Sequence, residues 1–264
     1  MSDFSNVAYE VFGSASRDIG SAKESVTRSA VPSMFKGRAA LASGLPLFMA
    51  EGRFAAPEQS GTRRVQLAVK RMLDVVLSLL ALLFLAPLLL IVAAIIRLTS
   101  PGPALFVQLR EGTDGEIFNV YKFRSMQTHA CDHTGVAQTA KNDPRVTAIG
   151  RFIRKTSIDE LPQLLNVLKG DMSLVGPRPH VPDMLAGGKP YRIAVPYYAE
   201  RLVMRPGLTG WAQANGLRGS TEDIAIATAR IDHDLAYVQN FSIWLDLKIM
   251  ALTLLREFIG GSGH

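Results

Sequence analysis

One cysteine, Cys131, is all the chain has, so no internal disulfide can brace it, and a reducing compartment is expected. Internal repeats, a Walker A motif and a G-x-G-x-x-G run are all missing. That removes solenoids and the commonest glycine-rich phosphate cradles. Aromatic residues make up only 8% of the 264, and no Lys/Arg stripe is interleaved with them, which argues against a nucleic-acid surface. The opening MSDFSNVAYEVF has neither a positive n-region nor an apolar h-region, so no secretory signal is expected. His129, Cys131 and His133 stand close together but lack a second half-site with zinc spacing.

What is present is a net charge of +6 and one long apolar run. Residues 1–60 carry six basic and six acidic side chains, so the whole excess lies in 61–264. A basic balance suits phosphorylated ligands or an anionic membrane face. Residues 1–60 are rich in Ser, Gly and Ala with weak periodicity, and read as a mostly disordered extension. Between Asp74 and Arg97 run 22 uncharged residues, VVLSLLALLFLAPLLLIVAAII, long enough to cross a bilayer core as a helix. Lys70 and Arg71 precede the run and Arg97 follows it, so positive charge marks both ends. Pro87 removes a helical hydrogen bond near its middle and predicts a break there. Residues 61–100 are therefore read as a membrane-embedded segment and 101–264 as a separate domain.

Within that domain Ala104–Leu109 and Glu116–Phe123 read as strands of a hairpin joined through Gly112–Gly115. Alternation sends Lys122 and Arg124 to one face, where two cations could hold a diphosphate or line a solvated sheet. A loop is expected through about Lys141, and residues 180–200 are irregular. Glu222–Gln239 predicts a helix, and Ser242 can cap a second, running to Phe258, that is apolar round much of its circumference.

The stretch TSIDELPQLLNVLKGDMSLVGPRP, Thr156–Pro179, is the densest in signals. A helix starting near Asp159 tolerates Pro162 in its first turn, lines up Leu161, Leu164, Leu165 and Leu168, and stops at Lys169-Gly170. Asp159 and Glu160 then sit at its N-terminus, and Ser157 with Glu160 also fits a capping box. Pro177 and Pro179 stiffen the backbone round Arg178, which makes its guanidinium either a preorganised anion clamp or part of a rigid turn.

Those residues, with Lys122-Phe123-Arg124-Ser125-Met126, Asn142–Val146 and Arg205-Pro206-Gly207-Leu208-Thr209-Gly210-Trp211, resemble the bacterial sugar transferases, the monotopic phosphoglycosyl transferases. The resemblance spans about Lys70 to Phe258. It implies an α/β (α+β), mostly helical fold: a re-entrant membrane helix hairpin broken at Pro87, then a small catalytic domain with a β-hairpin and interfacial amphipathic helices. It implies transfer of a hexose 1-phosphate from a UDP-sugar to undecaprenyl phosphate, with UMP released and surface glycan assembly begun. Asp159 is the implied nucleophile and Mg²⁺ ligand, with Glu160 beside it. Lys122, Arg124, Arg154, Arg178, Arg205 and Arg218 are the implied phosphate contacts. The implied setting is the cytoplasmic face of a bacterial inner membrane, with membrane lipid as a further partner and self-association left open. Where members of the family often have Ser before the membrane proline, this chain has Ala86. Two other readings stay open at this point: a polyprenyl-linked transferase that moves the sugar alone and releases UDP, and a non-catalytic, membrane-anchored basic binding protein.

Overall fold

The computed structural model describes residues 39–40, 44–50, 53–58, 60–128, 143–219 and 221–260. His129, Cys131, His133 and most of the loop expected before Lys141 lie outside them. The dominant element is α1, Gly61–Thr99, 39 residues long, opened by Ser60, whose hydroxyl accepts from the Arg63 amide at 3.2 Å. It is helical throughout, so the break expected at Pro87 does not interrupt it: a proline inside a long helix gives up one hydrogen bond while the turns on either side keep theirs. Its flanks are bare hydrocarbon: Leu83, Phe84 and Leu90 are 66, 84 and 71% exposed. Only 11% of its most apolar 18-residue window is buried, where the core helix of a soluble protein would be mostly covered. A surface this apolar associates with a membrane.

Both ends of α1 are tied to the rest of the protein. Near the start, Lys70 Nζ lies 2.6 Å from Asp246 Oδ2, and Arg71 donates to the Val167 and Leu168 carbonyls at 2.6 and 3.1 Å. Asp74 accepts from Ser173 Oγ at 2.7 Å and from the Leu174 amide at 3.0 Å. Toward the far end, Val92 and Ile96 are buried in one cluster with Phe123 and Ile153.

The hairpin is β1, Leu105–Glu111, paired antiparallel with β2, Ile117–Phe123, from Leu105↔Phe123 to Glu111↔Ile117. Asp114 and Gly115, at φ 54 and 81, turn the chain between them. Its faces are reversed from the usual sense. Leu105, Val107, Leu109 and Ile117 are exposed, while Gln108 is buried and Arg110 and Lys122 are half-buried on the opposite face.

Helix α2, Ala148–Lys155, follows, and then Ile158–Gln163 forms a 3₁₀ turn before α3, Leu164–Lys169. The α-helix expected to start near Asp159 therefore begins later. The tighter turn accommodates Pro162, which has no N–H to give. Leu164 and Val167 are buried, whereas Leu165 from the expected stripe is 41% exposed. Strand β3, Ser173–Val175, then pairs in parallel with β4, Gly207–Thr209. Here the backbones nearly touch: a Cβ on Gly176 would lie 2.3 Å from the Arg205 carbonyl oxygen, and one on Gly207 2.1 Å from the Gly176 nitrogen. Only glycine fits this crossing.

Two helices close the domain, α4 (Ile224–Asn240) and α5 (Ile243–Gly260), the latter opened by the Ser242 hydroxyl as expected. Ile231 and Leu235 of α4 pack with Tyr191, Tyr198 and Leu202; Tyr237 and Val238 pack with Val175, Trp211 and Ile249. Part of the extension expected over residues 1–60 is in fact packed on this core. Leu47 is 3% exposed in the α4 cluster, and the Gln239 side chain donates to the Phe48 and Ala55 carbonyls while accepting from the Phe48 amide. Side-chain amides from a rigid helix satisfy that backbone, which composition does not reveal.

Candidate active site

Ser157 enters the 3₁₀ turn in the left-handed region, φ 55, and its side chain makes no cap hydrogen bond. Glu160 does not reach back to it as a capping box requires. Its carboxylate instead accepts from Arg178 Nη2 at 2.6 Å, Arg178 Nη1 at 3.3 Å and Lys122 Nζ at 3.0 Å. Burial alone would raise Glu160, but the Arg178 and Lys122 charges outweigh it and hold the carboxyl well below its ordinary value. Lys122 is pulled down by its own burial, against the Glu160 charge, and Arg178 is raised chiefly by Glu160.

Asp159, one residue earlier, has the opposite environment. No hydrogen bond among the described residues engages its carboxylate, and burial, then the Glu160 charge, raise it to about 6. Lys122, Arg154 and Arg178 oppose that rise without overcoming it. The structure thus brings Asp159, Glu160, Lys122, Arg154 and Arg178 together. Arg154 comes from the last turn of α2, whose Gly150 lies flat on the Ser125 backbone beyond β2.

Arg124 is not part of this cluster. It lies past the end of β2, is 3% exposed, and donates to the carbonyls of Ser100 and Pro101 and to the hydroxyls of Ser100 and Thr128. The diphosphate clamp expected of Lys122 and Arg124 on one face is therefore replaced by a brace on the connection from α1 to β1. Arg205 donates from Nε to the Gly170 carbonyl at 3.1 Å, at the C-terminal end of α3. Arg218 is half-buried in the loop after the Trp211–Ala214 helical turn, its amide 3.0 Å from the Gly216 carbonyl.

The backbone behind Arg178 is itself clamped. Arg201, 1% exposed, bonds Asp234 Oδ2 through Nε at 2.8 Å, and its Nη2 donates to the Arg178 carbonyl. His180 follows, wedged between Tyr191 and Tyr198, and its burial keeps it neutral by lowering its pKa far below the usual imidazole value. Residue-by-residue reading of the sequence passed over Arg110. Its Nη1 donates to the Pro179 carbonyl at 3.1 Å, and Nη2 donates to Gln108 Oε1. The signal was there in the strand alternation, which puts Gln108 and Arg110 on the same face of the hairpin as Lys122, the partner of Phe106.

No group of three or more His, Cys, Asp or Glu side chains among the described residues could hold a metal by itself. A single unengaged carboxylate does fit Mg²⁺, which is commonly held by one or two carboxylates together with substrate phosphates. Asp159, with a value of about 6, thus lies among Lys122, Arg154 and Arg178 in a domain tied to a long apolar helix. The chain belongs to the bacterial sugar transferase family, whose profile matches residues 65–260. It is 56% identical over 199 residues to the exopolysaccharide production protein PSS of Rhizobium leguminosarum bv. phaseoli, covering 75% of this chain and all of that one. It is 53% identical over 188 residues to the undecaprenyl-phosphate glucose phosphotransferase of Komagataeibacter xylinus, covering 71% of this chain but 35% of that longer protein. With the UDP-glucose:undecaprenyl-phosphate glucose-1-phosphate transferase of Caulobacter vibrioides the identity is 52% over 185 residues, 70% of this chain and 68% of the other.

Proposed function

We propose that this chain transfers glucose 1-phosphate from UDP-glucose to undecaprenyl phosphate, releasing UMP and starting the assembly of an exopolysaccharide. The observation that carries this is the split between the two carboxylates. Glu160 is neutralised by Arg178 and Lys122, while Asp159 stays unengaged beside those cations. An Asp159 oxygen attacks the β-phosphorus of the nucleotide sugar, a P–O bond forms, and the bond to UMP breaks. An oxygen of the lipid phosphate then attacks the same phosphorus and expels Asp159. Splitting one hard transfer in two is what a carboxylate nucleophile offers. Lys122, Arg154 and Arg178 draw the diphosphate in and offset its repulsion from Asp159. Asp159 would hold Mg²⁺, and the ion would supply further charge neutralisation. The glucose assignment follows the names of the Komagataeibacter and Caulobacter relatives.

The catalytic domain is proposed to lie on the cytoplasmic face of the inner membrane, with α1 entering and leaving on that side. Supporting this, Lys70 and Arg71 at one end of the apolar run and Val92 and Ile96 at the other all contact the same domain. That domain cannot lie on both faces of a bilayer.

The test is UMP release from UDP-glucose, UDP-galactose and UDP-N-acetylglucosamine with undecaprenyl phosphate. UDP-glucose should be turned over fastest, and both Asp159→Asn and excess EDTA should silence the reaction. UDP rather than UMP as product would refute the proposed chemistry, and substantial turnover by D159N would remove the aspartyl step.

A further inference from the structure

Arg110 sits among the charges of the proposed site, yet neither of its guanidinium hydrogen bonds goes to a carboxylate. Among the described residues its two acceptors are the Pro179 carbonyl and the Gln108 amide oxygen, both neutral, and its Nε has no partner. Burial, then the nearby Arg178 charge, lower its pKa to about 10. Lys122 and Arg178, by contrast, both spend hydrogen bonds on Glu160. The Glu160 charge reaches Arg110 only at a distance and does not offset these effects, and a half-buried cation whose hydrogen bonds go to neutral acceptors alone is poorly compensated.

The wider balance points the same way. Arg110, Lys122 and Arg178 act on one another electrostatically, Arg154 acts on Asp159 beside them, and against these four positive charges stand Asp159 and Glu160. Before any ligand enters, the cations of the group outnumber its carboxylates by two.

We infer that Arg110 is a substrate-contacting residue, a guanidinium held ready by Gln108 and Pro179 for a phosphate oxygen of the incoming nucleotide sugar. This rests on the proposed function, since it takes the bound anion to be that diphosphate. The hairpin supplies the reason for its reversed faces: the polar side of β1 is turned inward to serve the site. Arg110 is then the charge that the substrate compensates, while Lys122 and Arg178 are positioned in advance by Glu160.

The competing role is structural, a clamp on the Pro179 carbonyl. The two separate in a binding measurement that needs no turnover. In the D159N background, UDP-glucose binding is measured calorimetrically, with melting temperature recorded in the absence of nucleotide. Adding Arg110→Gln should weaken UDP-glucose binding at least about tenfold, the scale of a lost charge-assisted hydrogen bond, while affinity for uridine and the melting temperature stay at the parent values. Unchanged UDP-glucose affinity, or an equal loss for uridine, would overturn the inference. If R110Q does not fold, Arg110→Lys is read instead: a weaker affinity at an unchanged melting temperature supports the fork's contact with phosphate, and parental affinity overturns it. Failure of the D159N parent itself to bind UDP-glucose would count against the proposed function, not against Arg110 alone.

Discussion

Replacing Glu160 with Gln should do two separable things. Its carboxylate holds Arg178 at 2.6 Å and Lys122 at 3.0 Å, and it is the second-largest cause, after burial, of the raised Asp159 value of about 6. Removing the charge strips the two cations of their counter-ion. The Arg178 side chain is 42% exposed, so solvent screens part of that loss. The expected destabilisation is about 1–3 kcal/mol, the range for leaving a buried polar partner unsatisfied. At about 2–4 °C per kcal/mol this is a modest fall in Tm. The second effect has the opposite sense. Without a neighbouring anion, and with Lys122 and Arg178 no longer neutralised, Asp159 ionises more readily. For a nucleophile that must be ionised, activity rises with pH through the pKa of the group. The wild-type profile of UMP release should therefore rise through about pH 6, and the E160Q profile should rise about one unit lower. Its plateau should fall on the order of a hundredfold, because the clamping cations lose their register. An E160Q limb at the wild-type pH, or above it, would refute the electrostatic reading of the pair.

Arg178→Lys keeps the charge and loses the planar fork, so turnover should drop by about 10–100-fold with the melting temperature nearly unchanged; wild-type kinetics would return the Pro177–Pro179 turn to a purely structural role. Gly176→Ala drives a Cβ into the Arg205 carbonyl at 2.3 Å, and should cost more than about 3 kcal/mol or prevent folding; a well-folded variant by circular dichroism would contradict the close crossing of β3 and β4. In cells, with Cys131 changed to Ser, single cysteines at Ser60 and Glu222 should both resist an impermeant thiol reagent; labelling at position 60 but not at 222 would show that α1 crosses.

Some of this architecture is plain in the residues and some is not, for physical reasons. The apolar run of α1, the hairpin and the two last helices follow from composition and period, because burial or lipid contact over many residues dominates them. The sign of the hairpin was not legible. Alternation divides Leu105, Val107 and Leu109 from Gln108 and Arg110, but which face turns inward depends on what stands opposite. Here that is Glu160 and the Pro179 carbonyl, far along the chain. The same holds for Arg124, where strand alternation lapses one residue past Phe123 and the side chain turns to Ser100 and Pro101. Leu47 lies in a low-complexity setting and gains its burial from α4, which no local pattern announces.

The Asp159-Glu160 pair shows why adjacent identical charges need not share a role. In sequence the two are interchangeable acidic residues at a helix start. The 3₁₀ turn, with about three residues per turn, points successive side chains about 120° apart, and the left-handed Ser157 sets where that turn begins. One carboxylate thereby meets Lys122 and Arg178, while the other is left in a buried position without a hydrogen bond. The glutamate must remain ionised for the two cations to hold their places. In the proposed chemistry the aspartate, as nucleophile, gains reactivity toward phosphorus from its poor solvation. Each condition supports the other, since the cations ordered by Glu160 are also those that keep Asp159 from being raised further. Exchanging the two residues would keep the composition and the net charge of the site. It would also change the reach of both carboxylates, and so break the division of roles that the turn creates.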